Sequence, residues 1–294
     1  MRRPLLTLLA ALLLTGCSQA SDDPSSAGPS GPSGSSSSPE PPRVEPLRYV
    51  ALGDSYTAAP LVPRVDGASG PCVRSTANYP ALVADALDAG GTPVRLVDRS
   101  CVEADVGDLF APQAVTGGEV PAQAAPLDRR TDLVTVGIGG NDVLGPLLGS
   151  CVADGTCADL PRSDAAATLD ALRTDLVDAL RRVAEDAPRA EVLLVGYPQT
   201  APPSGTCDAL APVPAADAAY ARGLADGLDA TLRAAAGDAG VGFVDAYAAS
   251  AGHDICAAEP WVAGTETVPG EALALHPFAR GQEGVADLVL EATT

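Results

Sequence analysis

The chain of 294 residues contains no lysine, so all of its side-chain cations apart from histidine are arginines. Without lysine, a phosphate-cradling loop of the Gly-x-x-x-x-Gly-Lys type cannot exist. The formal net charge of −20 argues against a nucleic-acid partner and against adsorption to anionic lipid. Long apolar runs are also missing. Residues 4–14 are apolar but too few to span a bilayer, and no other stretch is long and apolar enough. No Cys-x-x-Cys pair occurs, and neither histidine sits at ligand spacing from a cysteine pair, which speaks against a zinc site. No metal or organic cofactor is therefore expected. Histidine itself is scarce: only His253 and His276 are present, so any imidazole chemistry falls on one of these two. No internal repeat is evident.

What is present begins with an export signal. Arg2 and Arg3 precede the apolar run, and the run ends in "LLTGCSQA", the pattern of a signal peptide over residues 1–16. The small residues before Cys17 resemble a bacterial lipobox, which implies that Cys17 is lipidated and becomes the first mature residue. Residues 17–46 follow as a Ser/Pro/Gly-rich segment with almost nothing to bury, so its ordering entropy cannot be offset and it reads as a linker. The expected location is the outer face of the cytoplasmic membrane, with the acyl anchor as the only membrane contact. Residues 47–294 suit one α/β domain, expected to be a monomer.

Within that domain strand and helix patterns alternate. Strands are expected at 47–54, 92–100, 131–142, 190–198 and 241–247. Helices are expected at 78–90, with Pro80 in its first turn and Gly90 closing it, at 163–188, with Ser163 or Asp164 as cap, at 214–240 and at 279–293. Such alternation implies right-handed crossovers and a parallel sheet covered on both faces. Ligands bind such sheets at the carboxyl ends of the strands. Gly53-Asp54-Ser55 falls at one such end, directly after the first strand, and Gly139-Gly140-Asn141-Asp142 falls at another. His276 lies in a loop before the last helix, from which it can reach the same edge.

A nucleophilic serine needs a tight turn, a base in hydrogen-bond reach and donors for an oxyanion. Gly53 permits the turn, Ser55 offers a hydroxyl and a backbone N–H, and Asn141 offers a side-chain N–H. The segments "GDSY", "GGND" and "HPFARGQ", in that order, resemble the SGNH (GDSL-type) hydrolases, a family of secreted esterases and lipases. The resemblance implies a flavodoxin-like three-layer α/β/α sandwich with a five-stranded parallel sheet. It implies Ser55 as nucleophile, His276 as base and Asn141 as oxyanion donor, with water hydrolysing the acyl-enzyme. His253 lies in a segment, "GHDICAAEPWV", that looks like a disulfide-bearing stretch of actinobacterial-type members, where the histidine is not the base. Asp54 and Asp142 read as structural, holding loop backbone. Tyr56 and Trp261 read as packing residues or as walls of an acyl pocket, and residues 59–72 as a loop over the site.

Two positions depart from the family pattern. Leu273 stands where the family usually places the aspartate that orients the histidine. Some secreted members use a backbone carbonyl there, so the Leu273 carbonyl is expected to orient His276 in a Ser-His dyad, with Glu271 as the alternative. Glu103 stands where the family's second block has a glycine; its backbone N–H is the third expected oxyanion donor, beside those of Ser55 and Asn141. With Cys17 set aside, six cysteines remain, an even count that suggests three disulfides in an exported chain. The expected pairing is sequential: Cys72 with Cys101, Cys151 with Cys157, and Cys207 with Cys256. Three rival readings keep the same fold: a surface lipoprotein that only binds acyl or glycan ligands, an acyltransferase, and a polysaccharide deacetylase.

Overall fold

A computed structural model describes residues 45–144, 147, 157, 162–211 and 213–293. The sheet strands are β1 (Leu47–Gly53), β2 (Val94–Asp98), β5 (Leu133–Gly137), β6 (Glu191–Val195) and β7 (Gly242–Val244). All pair in parallel, in the order β2-β1-β5-β6-β7. Counted within this sheet alone, the order is 2-1-3-4-5, the flavodoxin-like arrangement, with the first strand at a switch point. Between β2 and β5 lies a hairpin, β3 (Gln113–Val115) with β4 (Gly118–Val120).

Alternate side chains of β1 go to opposite cores. Val50 and Leu52 join Val134, Val136, Leu176, Leu180 and Leu232 on one face, while Tyr49 and Ala51 join Tyr79, Val83, Leu193 and Val289 on the other. The first face is covered by the long helices α3 (Arg162–Asp186) and α4 (Ala215–Ala239), which pack on each other. The second is covered by α2 (Tyr79–Ala89) and α6 (Ala279–Ala292), which also pack together. This is the expected three-layer sandwich. Among the described residues no helix is long and apolar enough to cross a membrane.

Several boundaries differ from the sequence reading for local reasons. Asn78 caps α2 by accepting from the Ala81 N–H, and Gly90 ends it. Helix α3 starts at Arg162, which puts Asp164 inside its first turn. The last strand is only three residues long, because Asp245 accepts from the Ala248 N–H and starts the short helix α5 (Ala246–Ala249). The hairpin was not expected from the sequence. Its two-residue connection, Thr116-Gly117, is followed by Gly118; both glycines have positive φ, a conformation that glycine adopts without strain.

Disulfides join Cys72 to Cys101 and Cys207 to Cys256, as expected. Cys157 is disulfide-bonded as well, and its expected partner Cys151 lies outside the described residues. The expected leader, Cys17 and the linker lie outside them too. Both described bridges fasten segments that follow strands: the stretches after β1 and β2, and those after β6 and β7.

Candidate active site

Strand β1 ends in a turn that only glycine fits. A Cβ at Gly53 would lie 2.2 Å from Thr57 Oγ1 and 2.7 Å from the Gly137 carbonyl oxygen. Beyond it, Asp54 caps the four-residue helix α1 (Ser55–Ala58) by accepting from the Tyr56 N–H at 2.8 Å. The capping role therefore belongs to Asp54, and Ser55, the first helical residue, keeps its hydroxyl for another partner. That partner is His276, whose Nε2 lies 2.7 Å from Ser55 Oγ.

The imidazole is held from behind. Its Nδ1 lies 2.8 Å from the Ala274 carbonyl oxygen. A carbonyl only accepts, so Nδ1 carries the proton and the Nε2 lone pair faces the serine hydroxyl. The Leu273 carbonyl, expected in this role, instead accepts from the His276 backbone N–H at 3.1 Å. The reason lies in the backbone: Leu275 has φ 60, a left-handed turn that brings the Ala274 carbonyl round to the ring. Burial lowers the His276 pKa below its ordinary value of 6.5, with the Ala274 carbonyl opposing that effect.

The loop after β5 approaches from the neighbouring strand. Residues 140–144 are helical. The Asn141 Nδ2 donates one N–H to the Ala104 carbonyl at 2.8 Å, which orients the amide and leaves its second N–H for another acceptor. The Asp142 carboxylate accepts from the Val106 N–H at 3.3 Å, which gives it the structural place expected of it. Burial raises its pKa to about 6. Glu103 sits in the left-handed region, φ 64, with an exposed side chain. A glycine would occupy that backbone without strain.

Three polar residues that the sequence reading did not single out complete the scaffold. Tyr197, just past β6, donates its hydroxyl to Asp54 Oδ2 at 2.6 Å and accepts from the Gly140 N–H at 2.8 Å. It thereby ties three strand ends together. A Cβ at Gly140 would lie 3.1 Å from this hydroxyl, so the approach is close. Burial pushes the Asp54 pKa up to about 7, against the Tyr197 and Tyr56 hydrogen bonds. Gln282, the last residue of "HPFARGQ", accepts from the Tyr79 N–H at 2.7 Å and donates to the Tyr56 carbonyl at 2.9 Å. Gln123, buried, accepts from the Gly53 N–H at 2.7 Å and donates to the Gly53 carbonyl at 2.9 Å. Of the three, Tyr197 had a signal, since it follows a strand at its carboxyl end; Gln123 had none.

A cavity of about 240 Å³ opens beside Ser55 and His276. Its walls include Tyr56, Asn141, Leu144, Ala225, Leu228 and Leu275. Residues 59–72, expected over the site, do not line it, and neither does Trp261. Trp261 stacks on His253, with ring centroids 5.3 Å apart, and the His253 Nδ1 is 2.9 Å from the Glu259 carbonyl. His253 is thus engaged elsewhere, and only His276 reaches Ser55.

Comparison with known proteins gives a consistent picture. Residues 51–283 match the GDSL-like Lipase/Acylhydrolase family, and residues 1–18 match the prokaryotic membrane lipoprotein lipid attachment site. Lipase 2 of Streptomyces coelicolor is 35% identical over 268 residues, spanning 83% of this chain and 85% of the relative. The crystal structure of an extracellular lipase from Streptomyces rimosus superposes with a TM-score of 0.69 at 32% identity, covering 84% of this chain and 100% of that one. The crystal structure of phospholipase A1 from Streptomyces albidoflavus NA297 gives a TM-score of 0.65 at 28% identity, covering 85% and 99%.

Proposed function

The chain belongs to the GDSL-like lipase/acylhydrolase family, and on that premise we propose that this carboxylic ester hydrolase works as a lipid-anchored esterase through a Ser55–His276 dyad. The observation that carries the reading is the 2.7 Å contact between Ser55 Oγ and His276 Nε2 at the mouth of a largely apolar cavity.

In the reaction, Ser55 Oγ attacks the ester carbonyl carbon while its proton passes to His276 Nε2, and the carbonyl electron pair moves onto oxygen. The backbone N–H groups of Ser55 and Glu103 and the free N–H of Asn141 are the donors for that oxyanion. Collapse expels the alcohol, which takes the proton from Nε2 and leaves an acyl group on Ser55. Water then attacks, Nε2 takes its proton, and collapse returns a proton to Oγ as the acid departs. The Ala274 carbonyl holds the imidazole tautomer but stabilises imidazolium less than a carboxylate would.

The largely apolar lining of the cavity suits the acyl part of an ester. The lipid attachment match at residues 1–18 supports acylation of Cys17 and anchoring at the outer face of the membrane, with residues 17–46 as tether and 47–294 as the catalytic domain.

Ser55→Ala tests the assignment. Hydrolysis of a short-chain nitrophenyl ester and labelling by a fluorophosphonate are both expected to vanish while the thermal unfolding profile is kept. Turnover by Ser55→Ala at the parent rate would refute it. Parent protein that binds acyl ligands but takes up no fluorophosphonate would favour a binding-only lipoprotein.

A further inference from the structure

We propose that Tyr56 is a positioning residue for the base: its hydroxyl clasps the Leu275 carbonyl and so fixes the segment whose Ala274 carbonyl orients His276. The inference rests on the serine-hydrolase reading above and deepens it. It starts from the backbone of Leu275. This residue has φ 60 and a side chain that is exposed for a large apolar group. A left-handed leucine is disfavoured because its Cβ crowds the following carbonyl oxygen. Such a conformation persists only where the surroundings over-determine it.

The surroundings here are specific. The Leu275 N–H donates to the Gly264 carbonyl at 2.9 Å, and the Ala274 N–H donates to Thr267 Oγ1 at 3.1 Å. The His276 N–H donates to the Leu273 carbonyl, and the His276 carbonyl accepts from the Ala263 N–H at 2.9 Å. The remaining polar group of Leu275, its carbonyl oxygen, accepts from the Tyr56 hydroxyl. If φ of Leu275 returned to the ordinary region, the Ala274–Leu275 peptide would swing relative to the ring, and Nδ1 would lose its acceptor.

Tyr56 is built to be rigid. Its N–H is held by Asp54 and its carbonyl by Gln282. Its ring meets Tyr197 edge-on at 5.0 Å and lies 4.9 Å from the His276 ring, tilted by 37°. Burial raises the pKa of its phenol, so it remains a donor. Tyr56 is also the residue next to Ser55. One side chain therefore links the turn that presents the nucleophile to the segment that aligns the base, in a site where no carboxylate performs that alignment.

The test uses Tyr56→Phe, Leu275→Gly and the double variant in the full chain, each assayed where its melting curve shows it folded. Tyr56→Phe keeps the ring and deletes the clasp. Its kcat for a soluble nitrophenyl ester is expected to fall about ten- to a hundredfold, as small misplacements of catalytic groups do, with KM within about twofold of the parent. Glycine adopts the left-handed backbone without strain, so adding Leu275→Gly to Tyr56→Phe is expected to restore at least about threefold of the lost kcat. In the parent background Leu275→Gly is expected to bring no gain. A Tyr56→Phe kcat within twofold of the parent overturns the proposal. So does a loss confined to KM, or a Leu275→Gly effect of equal size in both backgrounds. Ser55→Ala, run alongside, separates the two readings. If it stays active, the hydrolase reading itself fails; if it is dead while Tyr56→Phe is normal, only the clasp fails.

Discussion

Gln123 offers the sharpest stability test, because its side chain stands in for a strand. Along β1, the Ala51 and Gly53 carbonyls face the β2 side, where they accept from Arg99 and Cys101, while the Asp54 N–H faces β5 and donates to Gly137. Strand β2 stops at Asp98, so no strand partner reaches the Gly53 N–H. The Gln123 amide fills the gap with both of its polar ends. Gln123→Leu keeps the bulk and removes both bonds. The Gly53 N–H would then be a buried donor without its acceptor, a cost of about 1–3 kcal/mol, and the lost bond to the Gly53 carbonyl adds about 1. That carbonyl keeps Cys101 as a donor. A loss of about 3 kcal/mol corresponds to roughly 6–12 °C in Tm for a domain of this size. Equilibrium unfolding in urea with the disulfides intact, checked by calorimetry, measures it.

Gln123→Glu gives a second, pH-dependent signature. An ionised carboxylate satisfies the Gly53 N–H but faces the Gly53 carbonyl with no proton to share. Only the protonated form serves both groups, so the folded-state pKa lies above the unfolded value of about 4.3. The variant is then closest to the parent below about pH 4 and loses stability as the pH rises through its folded-state pKa. A loss under about 0.5 kcal/mol for Gln123→Leu, the range of ordinary surface changes, would refute the reasoning. A Gln123→Glu deficit that does not grow with pH would do so too.

Two further outcomes follow from the site. His276 must be neutral to accept the serine proton, and burial lowers its pKa below 6.5; kcat/KM is therefore expected to hold down to a pH below 6.5 and to fall with further acidification, and a profile still flat at about pH 4 would exclude the histidine as base. Glu103→Gly removes the left-handed strain at φ 64 and an exposed carboxylate; it is expected to stabilise the fold by about 1 kcal/mol without lowering kcat, and a clear drop in kcat would show that the Glu103 side chain has a role of its own.

Much of this architecture could be read from local signals. Strands β1 and β5 are mainly apolar and end in glycine, and helices α3 and α4 carry leucines at helical spacing, so the layers follow from periodicity. Ser55, Asn141 and His276 were legible because each stands in a short segment at a strand end or before a helix. What was hidden depends on partners far along the chain. Gln123 bonds to Gly53, seventy positions away, and a lone polar residue in a loop gives no hint that it is buried. The orienting carbonyl was displaced by one residue, from Leu273 to Ala274, because Leu275 turns left-handed; leucine carries no sequence signal for that conformation. The final strand was overestimated because the apolar pattern runs on past Asp245, which caps the next helix.

The placement of the two described cross-links has a consequence for how the protein matures. Both join stretches that follow strands of the sheet, those after β1 and β2 and those after β6 and β7. In a thiol-rich compartment the layered core would still have its apolar packing, while the loops after β1, β2, β6 and β7 would lose their cross-links. Reducing conditions are thus expected to free the loops after the strands before they disturb the sheet, so the covalent frame belongs to an oxidising environment.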